Sequence, residues 1–283
     1  MAAKLIDGKK AAENIKKELK KRIAKLGFKP GLAVVLVGDN PASEVYVKNK
    51  GIASKDLGFH FELHRLPEDI DEIALLNLID KLNQDKKIHG MLVQLPLPKQ
   101  INESLIIDAV RPDKDADGFN PINMGNLLIG DNKVIPATPK GIIRLIESTG
   151  IKISGKHAVV VGRSNIVGKP VSILLQQKNA TVTMCHSKTE PLEDHTKQAD
   201  ILVVAAGKPR LITKDMVKKG AVIIDVGINK VMGKLIGDVD FDDVRKVAGF
   251  ITPVPGGVGP MTIIMLLENV LQCIWLQGKI KTV

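Results

Sequence analysis

The sequence predicts an α/β protein of two domains, the second built on a doubly wound parallel sheet. Three observations carry this reading. A chain of 283 residues is too long for one small core and suits two of ordinary size. Hydrophobic residues make up 44% but aromatics only 3%, so the core must consist of Val, Ile, Leu and Ala, as in parallel sheets covered on both faces. Short apolar runs also recur along the chain, separated by segments of crossover length.

The elements follow in order. Residues 11–25 read as an amphipathic helix, with Ala12, Ile15, Leu19 and Ile23 at three- and four-residue spacing. Residues 32–38 are an apolar run ending in glycine, the mark of a buried strand. A helix is expected from Pro41, a short strand over 60–65, a helix over 71–85, and a buried strand over 90–96 that stops at a proline. The second half is sharper, with strands expected at 158–161, Thr181–Cys185, 201–205 and 222–226. An apolar helix over 261–276 opens at Pro260, a residue favoured at a first helical position. It is expected to pack back on the first domain, giving one domain of residues 1–138 plus 259–283 and another of 139–258.

Composition narrows the function. The net charge is +10, but the lysines are spread along helical stretches, and one Trp and one Tyr cannot build the stacking platforms of single-strand binders. No nucleic-acid partner is expected. Cys185 and Cys273 offer neither a metal cluster nor a disulfide framework and should be reduced and buried. No metal is expected. The N-terminus lacks an apolar signal core and turns helical and charged at once, and no apolar run is judged long enough to span a bilayer. A cytoplasmic chain without membrane contact is the expectation.

Two motifs carry chemistry. Val159-Val-Val-Gly162-Arg-Ser-Asn-Ile-Val-Gly168-Lys-Pro-Val is a strand, a glycine turn and a helix start, where amide groups and the positive helix end can meet a pyrophosphate. It departs from G-x-G-x-x-G: Ser164 takes the middle glycine's place and Gly168 is displaced by one. NAD-preferring dinucleotide folds place an acid about 20 residues on. Here the next strand ends in His186-Ser187-Lys188-Thr189 instead, so Ser187, with Arg163, could bind a 2′-phosphate. NADP is therefore expected rather than NAD.

The second motif is Asn40-Pro41-Ala-Ser43-Glu-Val-Tyr46-Val-Lys48-Asn-Lys50, with Asn at an N-cap and Pro at the first helical position. Ser43, Tyr46 and Lys50 share one face, and Lys48 points elsewhere. A lysine shielded from water loses its charge more readily and suits a general base, and a nearby phenol can lower its pKa or position a water. Tyr-x-x-x-Lys is similar to the pair of short-chain dehydrogenases, but there it follows the nucleotide fold, whereas here it precedes it.

Taken together, these segments resemble the bifunctional methylenetetrahydrofolate dehydrogenase/methenyltetrahydrofolate cyclohydrolase family through nearly the whole chain. The resemblance runs in family order through Pro41-Ala-Ser-x-x-Tyr46-Val-x-x-Lys50, Val93-Gln94-Leu-Pro-Leu-Pro98, Lys114-Asp-Ala-Asp117-Gly-Phe119 and Pro136-Ala-Thr-Pro139. It continues through Val161-Gly-Arg-Ser-Asn-Ile-Val-Gly-Lys-Pro170, Cys185-His-Ser-Lys-Thr189, Asp225-Val-Gly-Ile-Asn229, Gly237-Asp-Val-Asp-Phe241 and Thr252-Pro-Val-Pro-Gly-Gly-Val-Gly-Pro-Met-Thr262.

That resemblance implies a Rossmann-like NADP-binding domain, a catalytic domain, and a substrate cleft between them. It implies Lys50 as the catalytic lysine, Tyr46 positioning the folate ring and the lysine, Gln94 hydrogen-bonding Lys50, and Asp117 binding the pterin's donor-rich edge. Gly162, Arg163, Ser164 and Ser187 would bind NADP, with Ile228 near the nicotinamide. Pro255, Gly256 and Gly259 would lie beside the folate. The implied activity is NADP-dependent oxidation of 5,10-methylenetetrahydrofolate and hydrolysis of the methenyl product to 10-formyltetrahydrofolate, by a homodimer; the positive charge suits recruitment of NADP and of a folate glutamate tail. The alternative is a monofunctional dehydrogenase, against which the presence of Lys50 argues. One departure is Ala137, where many relatives carry cysteine.

Overall fold

The structure, a computed structural model, describes residues 2–280. In chain order the elements are β1 (Lys4–Leu5), α1 (Gly8–Ile23), β2 (Gly31–Val37), α2 (Pro41–Asp56), β3 (His60–Leu66), α3 (Glu72–Gln84), β4 (Gly90–Val93), α4 (Glu103–Ala109), α5 (Pro121–Leu128) and α6 (Ala137–Ser148). There follow β5 (His157–Val161), α7 (Gly168–Gln177), β6 (Thr181–Cys185), α8 (Leu192–Thr196), β7 (Ile201–Val204), β8 (Val222–Asp225), β9 (Asn229–Val231), β10 (Lys234–Ile236), α9 (Phe241–Val244), β11 (Phe250–Ile251) and α10 (Val258–Leu276). The chain divides into two compact units. One comprises the chain up to Asn14 with Thr138–Thr262, the other Ile15–Ala137 with the chain from Ile263 onward.

The first unit is a six-stranded sheet in the order β1-β11-β8-β7-β5-β6, parallel throughout. Val160, Leu202 and Ile223 are fully buried, as expected of Val/Ile/Leu runs covered on both faces. β5 is followed by β6 on one side and β7 on the other, so strand order reverses beside β5. In such sheets the crevice at the carboxyl ends of the strands at that reversal is where ligands sit.

Four strands of this sheet were legible, and two were not. β11 is too short to show a pattern. β1 has only two residues, both exposed, and is defined by pairing rather than by an apolar face: Lys4 N donates to Gly249 O (2.9 Å) and Ile6 N to Ile251 O (2.9 Å). β1 therefore belongs to this sheet, and it precedes α1, which corrects a start expected to turn helical at once. The β9–β10 hairpin, turning through Met232 and Gly233 at positive φ, also went unread because its strands are short and exposed.

The second unit holds a three-stranded parallel sheet, β3-β2-β4, with β2 wholly buried in the centre. Alternate β2 residues Ala33, Val35 and Val37 join Leu75, Ile79 and Leu82 of α3 and Ile106 of α4 in one core. α10, from Ile263 on, closes the unit: a Cβ on Gly90 would lie 3.0 Å from Val270 Cγ2, so glycine lets helix and strand approach. Asn269 Nδ2, buried on α10, donates to Ala116 O (2.9 Å) and Ile135 O (2.7 Å).

α10 corrects two expectations. It starts at Val258, which puts Pro260 third in the helix, still within the first turn, whose N–H groups have no intrahelical partner. By length and composition it is also apolar enough to cross a membrane, contrary to the reading that no such run exists. Its apolar residues are instead spent on packing, with Met265, Leu266, Leu267, Val270 and Ile274 fully buried.

Candidate active site

α2 presents the lysine. Asn40 caps it, its Oδ1 accepting from Ala42 N (3.0 Å) and Ser43 N (3.2 Å), and Pro41 opens the first turn, as the sequence predicts. The register then turns Ser43 (3% exposed) and Lys50 (4%) inward, leaves Tyr46 half-buried, and sends Lys48 to solvent. Lys50 Nζ donates to Gln94 Oε1 at 3.0 Å, and Gln94 Nε2 donates to Leu95 O at 2.8 Å, so the amide is held with its oxygen toward the ammonium group.

Burial pushes the Lys50 pKa below the usual lysine range, and the Asp117 carboxylate opposes that shift. Asp117 is pushed up by burial and drawn down by Lys50. The two therefore share one desolvated pocket. The lowering at Lys50 comes from lost hydration and not from the phenol. Burial also raises the Tyr46 pKa, so the phenol stays protonated and can donate.

Asp117 is set by a turn that the sequence reading passed over. Asp115, buried, accepts from Gly118 N (2.9 Å), Asn120 N (2.8 Å) and Asn123 Nδ2 (2.9 Å). Gly118 adopts φ +78°, and a Cβ there would lie 2.7 Å from Pro136 N, so only glycine fits after Asp117. Aspartate two residues before another aspartate, followed by glycine and asparagine, was the available signal.

In the other unit, Gly162 follows β5 at the strand-order reversal. Its φ is +131°, and a Cβ would lie 2.2 Å from Ala205 O, the carbonyl just beyond β7. A Cβ on Gly168 would lie 2.2 Å from Gly162 O, so the displaced glycine still serves close packing of turn and helix. Ser164 has a duty of its own: its Oγ accepts from Val167 N (3.2 Å) and Gly168 N (3.3 Å), capping α7.

Beside it, the turn after β6 is ordered by Thr189 Oγ1 accepting from His186 N (3.0 Å) and His186 Nδ1 accepting from Lys188 N (3.1 Å). The two turns are joined by Gly162 N donating to Cys185 O (2.9 Å). Arg163 and Ser187 are exposed there, and residues 186–189 bring no carboxylate. A cradle from which a Cβ is excluded, an arginine and a hydroxyl without an acid together fit a phosphorylated dinucleotide.

Ile228 is 45% exposed beyond β8, on a loop fixed by two carboxylates. Asp225 accepts from Gly227 N (3.0 Å), Asp238 N (2.9 Å) and Val239 N (3.0 Å), and burial pushes its pKa up to about 7. Asp238 accepts from Ala206 N (2.7 Å), Gly207 N (2.8 Å) and Asn229 Nδ2 (2.9 Å). Pro255 is exposed. Gly256 needs its φ of +109°, and Gly257 is hemmed in by Pro253 O, whereas a Cβ on Gly259 would meet open space. Of those three glycines, two are thus required by the chain itself. Cys185 and Cys273 are both buried.

A glycine turn at the reversal of a doubly wound parallel sheet, in a chain that also carries a buried lysine in a second α/β unit, defines a nucleotide-binding enzyme of the dehydrogenase kind. Residues 6–117 match the family model of the tetrahydrofolate dehydrogenase/cyclohydrolase catalytic domain, and residues 136–277 that of its NAD(P)-binding domain. The chain is 54% identical over 283 residues to the bifunctional protein FolD of Brevibacillus brevis, covering 99% of this chain and 100% of that one. Among solved structures, the bifunctional FolD dehydrogenase/cyclohydrolase of Campylobacter jejuni superposes with a TM-score of 0.95 at 48% identity, covering 98% and 100% of the two chains. The Trypanosoma brucei enzyme, solved with NADP and an inhibitor, gives 0.93 at 39% identity, covering 98% and 99%. This chain belongs to the tetrahydrofolate dehydrogenase/cyclohydrolase family.

Proposed function

We propose that the protein oxidises 5,10-methylenetetrahydrofolate with NADP and hydrolyses the 5,10-methenyl product to 10-formyltetrahydrofolate. The observation that carries both activities over the dehydrogenase alone is the buried Lys50 held by Gln94 at 3.0 Å. Hydride removal leaves a delocalised cation and needs orientation more than a base. Hydrolysis needs a group that helps water add, and a lysine with a lowered pKa suits that task.

In this reading Lys50 assists the attacking water, and Gln94 fixes the ammonium group and its proton. Tyr46 positions the folate ring, and Asp117 accepts hydrogen bonds from the pterin's N–H edge. Pro255, Gly256 and Gly259 flank the folate. Gly162, Arg163, Ser164 and Ser187 hold NADP, with Ile228 beside its nicotinamide. NADP, when bound, supplies the hydride acceptor. A homodimer in the cytoplasm completes the reading, supported by the resemblance to the bifunctional family, and light scattering on the purified protein tests the dimer.

The deciding experiment follows purified protein with methylenetetrahydrofolate and NADP or NAD, recording reduced cofactor and methenyl product separately. NADP-dependent reduction with little methenyl accumulation is expected. Lys50→Met should abolish hydrolysis while leaving part of the oxidation, so that methenyl accumulates. Full hydrolysis by that variant would remove Lys50 from its role.

A further inference from the structure

The strongest uncommitted feature lies at the opposite end of the three-stranded sheet from Gln94. Phe28, Lys29, Lys86, Lys87, His89 and Lys279 line a cleft of about 510 Å³. Apart from Lys279, all of them precede the N-terminal ends of β2 and β4, whereas Gln94 follows β4. From His89 to Gln94 is five strand steps, about 16 Å at 3.3 Å per residue. The cleft is therefore a separate place on the same unit.

Its chemistry is one-sided. Lys29, Lys86, Lys87 and Lys279 are exposed, and none forms a salt bridge among the described residues. Lys279 Nζ donates to Lys86 O at 3.0 Å, which tethers Lys279 beside Lys86. Two carboxylates stand nearby: Glu62 takes the rings of His60, which also borders the cleft, and His64, while Asp85 Oδ1 accepts from Lys87 N at 2.7 Å and its charge partly offsets that of the lysines at His89 and Lys279.

His89 supplies a second, independent observation. Its Nδ1 accepts from Gly31 N at 2.8 Å, so the ring proton sits on Nε2. The residue is only 4% exposed, yet Nε2–H has no partner among the described residues, and the remaining opening is the cleft that it lines. The ring is buried but Nε2 itself keeps access to solvent, so this N–H is available to an acceptor in the cleft that the ring lines. Burial, then the charges of Lys279 and Lys114, pushes the His89 pKa down to about 4, so this N–H donates from a neutral ring at neutral pH. Phe28 stacks on His89 with ring centroids 5.2 Å apart and remains 38% exposed, giving the cleft an aromatic wall.

We propose that this cleft is a binding site for the polyphosphate group of a small molecule, with the four lysines as point charges and His89 Nε2–H as the fixed donor. Two sources share that chemistry, a nucleoside triphosphate whose base would use Phe28, and free polyphosphate.

Calorimetric titration of the intact protein, in magnesium-free buffer, with ATP and separately with sodium tripolyphosphate tests the proposal. Tripolyphosphate should bind saturably, weaken with added salt, and lose at least tenfold in affinity in the Lys86→Ala/Lys87→Ala variant, whose changes are on exposed side chains. Arg163→Ala, in the turn after β5, should leave that affinity unchanged. ATP binding more tightly than tripolyphosphate would identify a nucleotide, and equal affinities free polyphosphate. Absence of saturable binding, or an affinity unmoved by the double lysine change, would overturn the site.

Discussion

Replacing Gln94 tests how the lysine is tuned. Lys50 is desolvated, and among the described residues its side chain donates one hydrogen bond, to Gln94 Oε1 at 3.0 Å. Gln94→Leu removes an acceptor that is better for the ammonium form than for the amine. A hydrogen bond to a charged group contributes about 1.5–3 kcal/mol. At about 1.4 kcal/mol per pKa unit, the Lys50 pKa should fall by a further one to two units, roughly. A base works only when unprotonated, so the acidic limb of the pH profile of methenyl hydrolysis should move to lower pH by that amount. Gln94→Glu sets a carboxylate in the same place and should move the limb the other way, since a negative neighbour favours the charged lysine. The assay is the decay of methenyltetrahydrofolate absorbance across pH for the three proteins. A limb that stays put in both variants, or moves the same way in both, would refute the idea that Gln94 sets the lysine's protonation.

Other expectations follow from distances already given. Gly162→Ala places a methyl 2.2 Å from Ala205 O at a φ of +131°, so it should cost about 1–3 kcal/mol of stability and abolish NADP binding, checked by urea unfolding and nucleotide titration. Ser187→Asp adds the acid that residues 186–189 lack and should shift preference from NADP toward NAD at least tenfold, read from kcat/KM with each cofactor. Asp225 has a pKa raised from 3.8 to about 7, so the native state holds its proton over a range where the unfolded chain has lost it. Its stabilising effect is complete below about pH 4 and is lost as pH rises through about 7; Asp225→Asn should flatten that part of the stability–pH curve in thermal melts.

β2 and β4 of the second unit and β5, β7 and β8 of the first were legible because buried parallel strands write themselves as apolar runs such as Val34 to Val37 and Ile201 to Val204. β1 and β11 were not, since two-residue strands are held by partners distant in sequence, and the β9–β10 hairpin was not, since its three-residue strands are exposed and carry no apolar pattern. The N-terminal strand is the plain case: nothing in Lys4-Leu5 announces that Phe250 and Ile251 will pair with it.

The candidate site divides along the same physical line. Lys50 and Tyr46 were readable because helical spacing places them on one face before any tertiary contact is known. The Gln94 contact is different, because its 3.0 Å approach to Lys50 joins residues 44 positions apart and depends on α2 packing beside the end of β4. Only resemblance could suggest that contact in advance. Asp115 was missed for a further reason. Its oxygens are consumed by Gly118 N, Asn120 N and Asn123 Nδ2, so it shapes the turn that presents Asp117, and a carboxylate satisfied by nearby amides reads in sequence like any acid in a loop. Spacing reveals which side chains share a face, whereas the pKa of Lys50 is set by how completely the surrounding chain excludes water, a property of packing that no local pattern records.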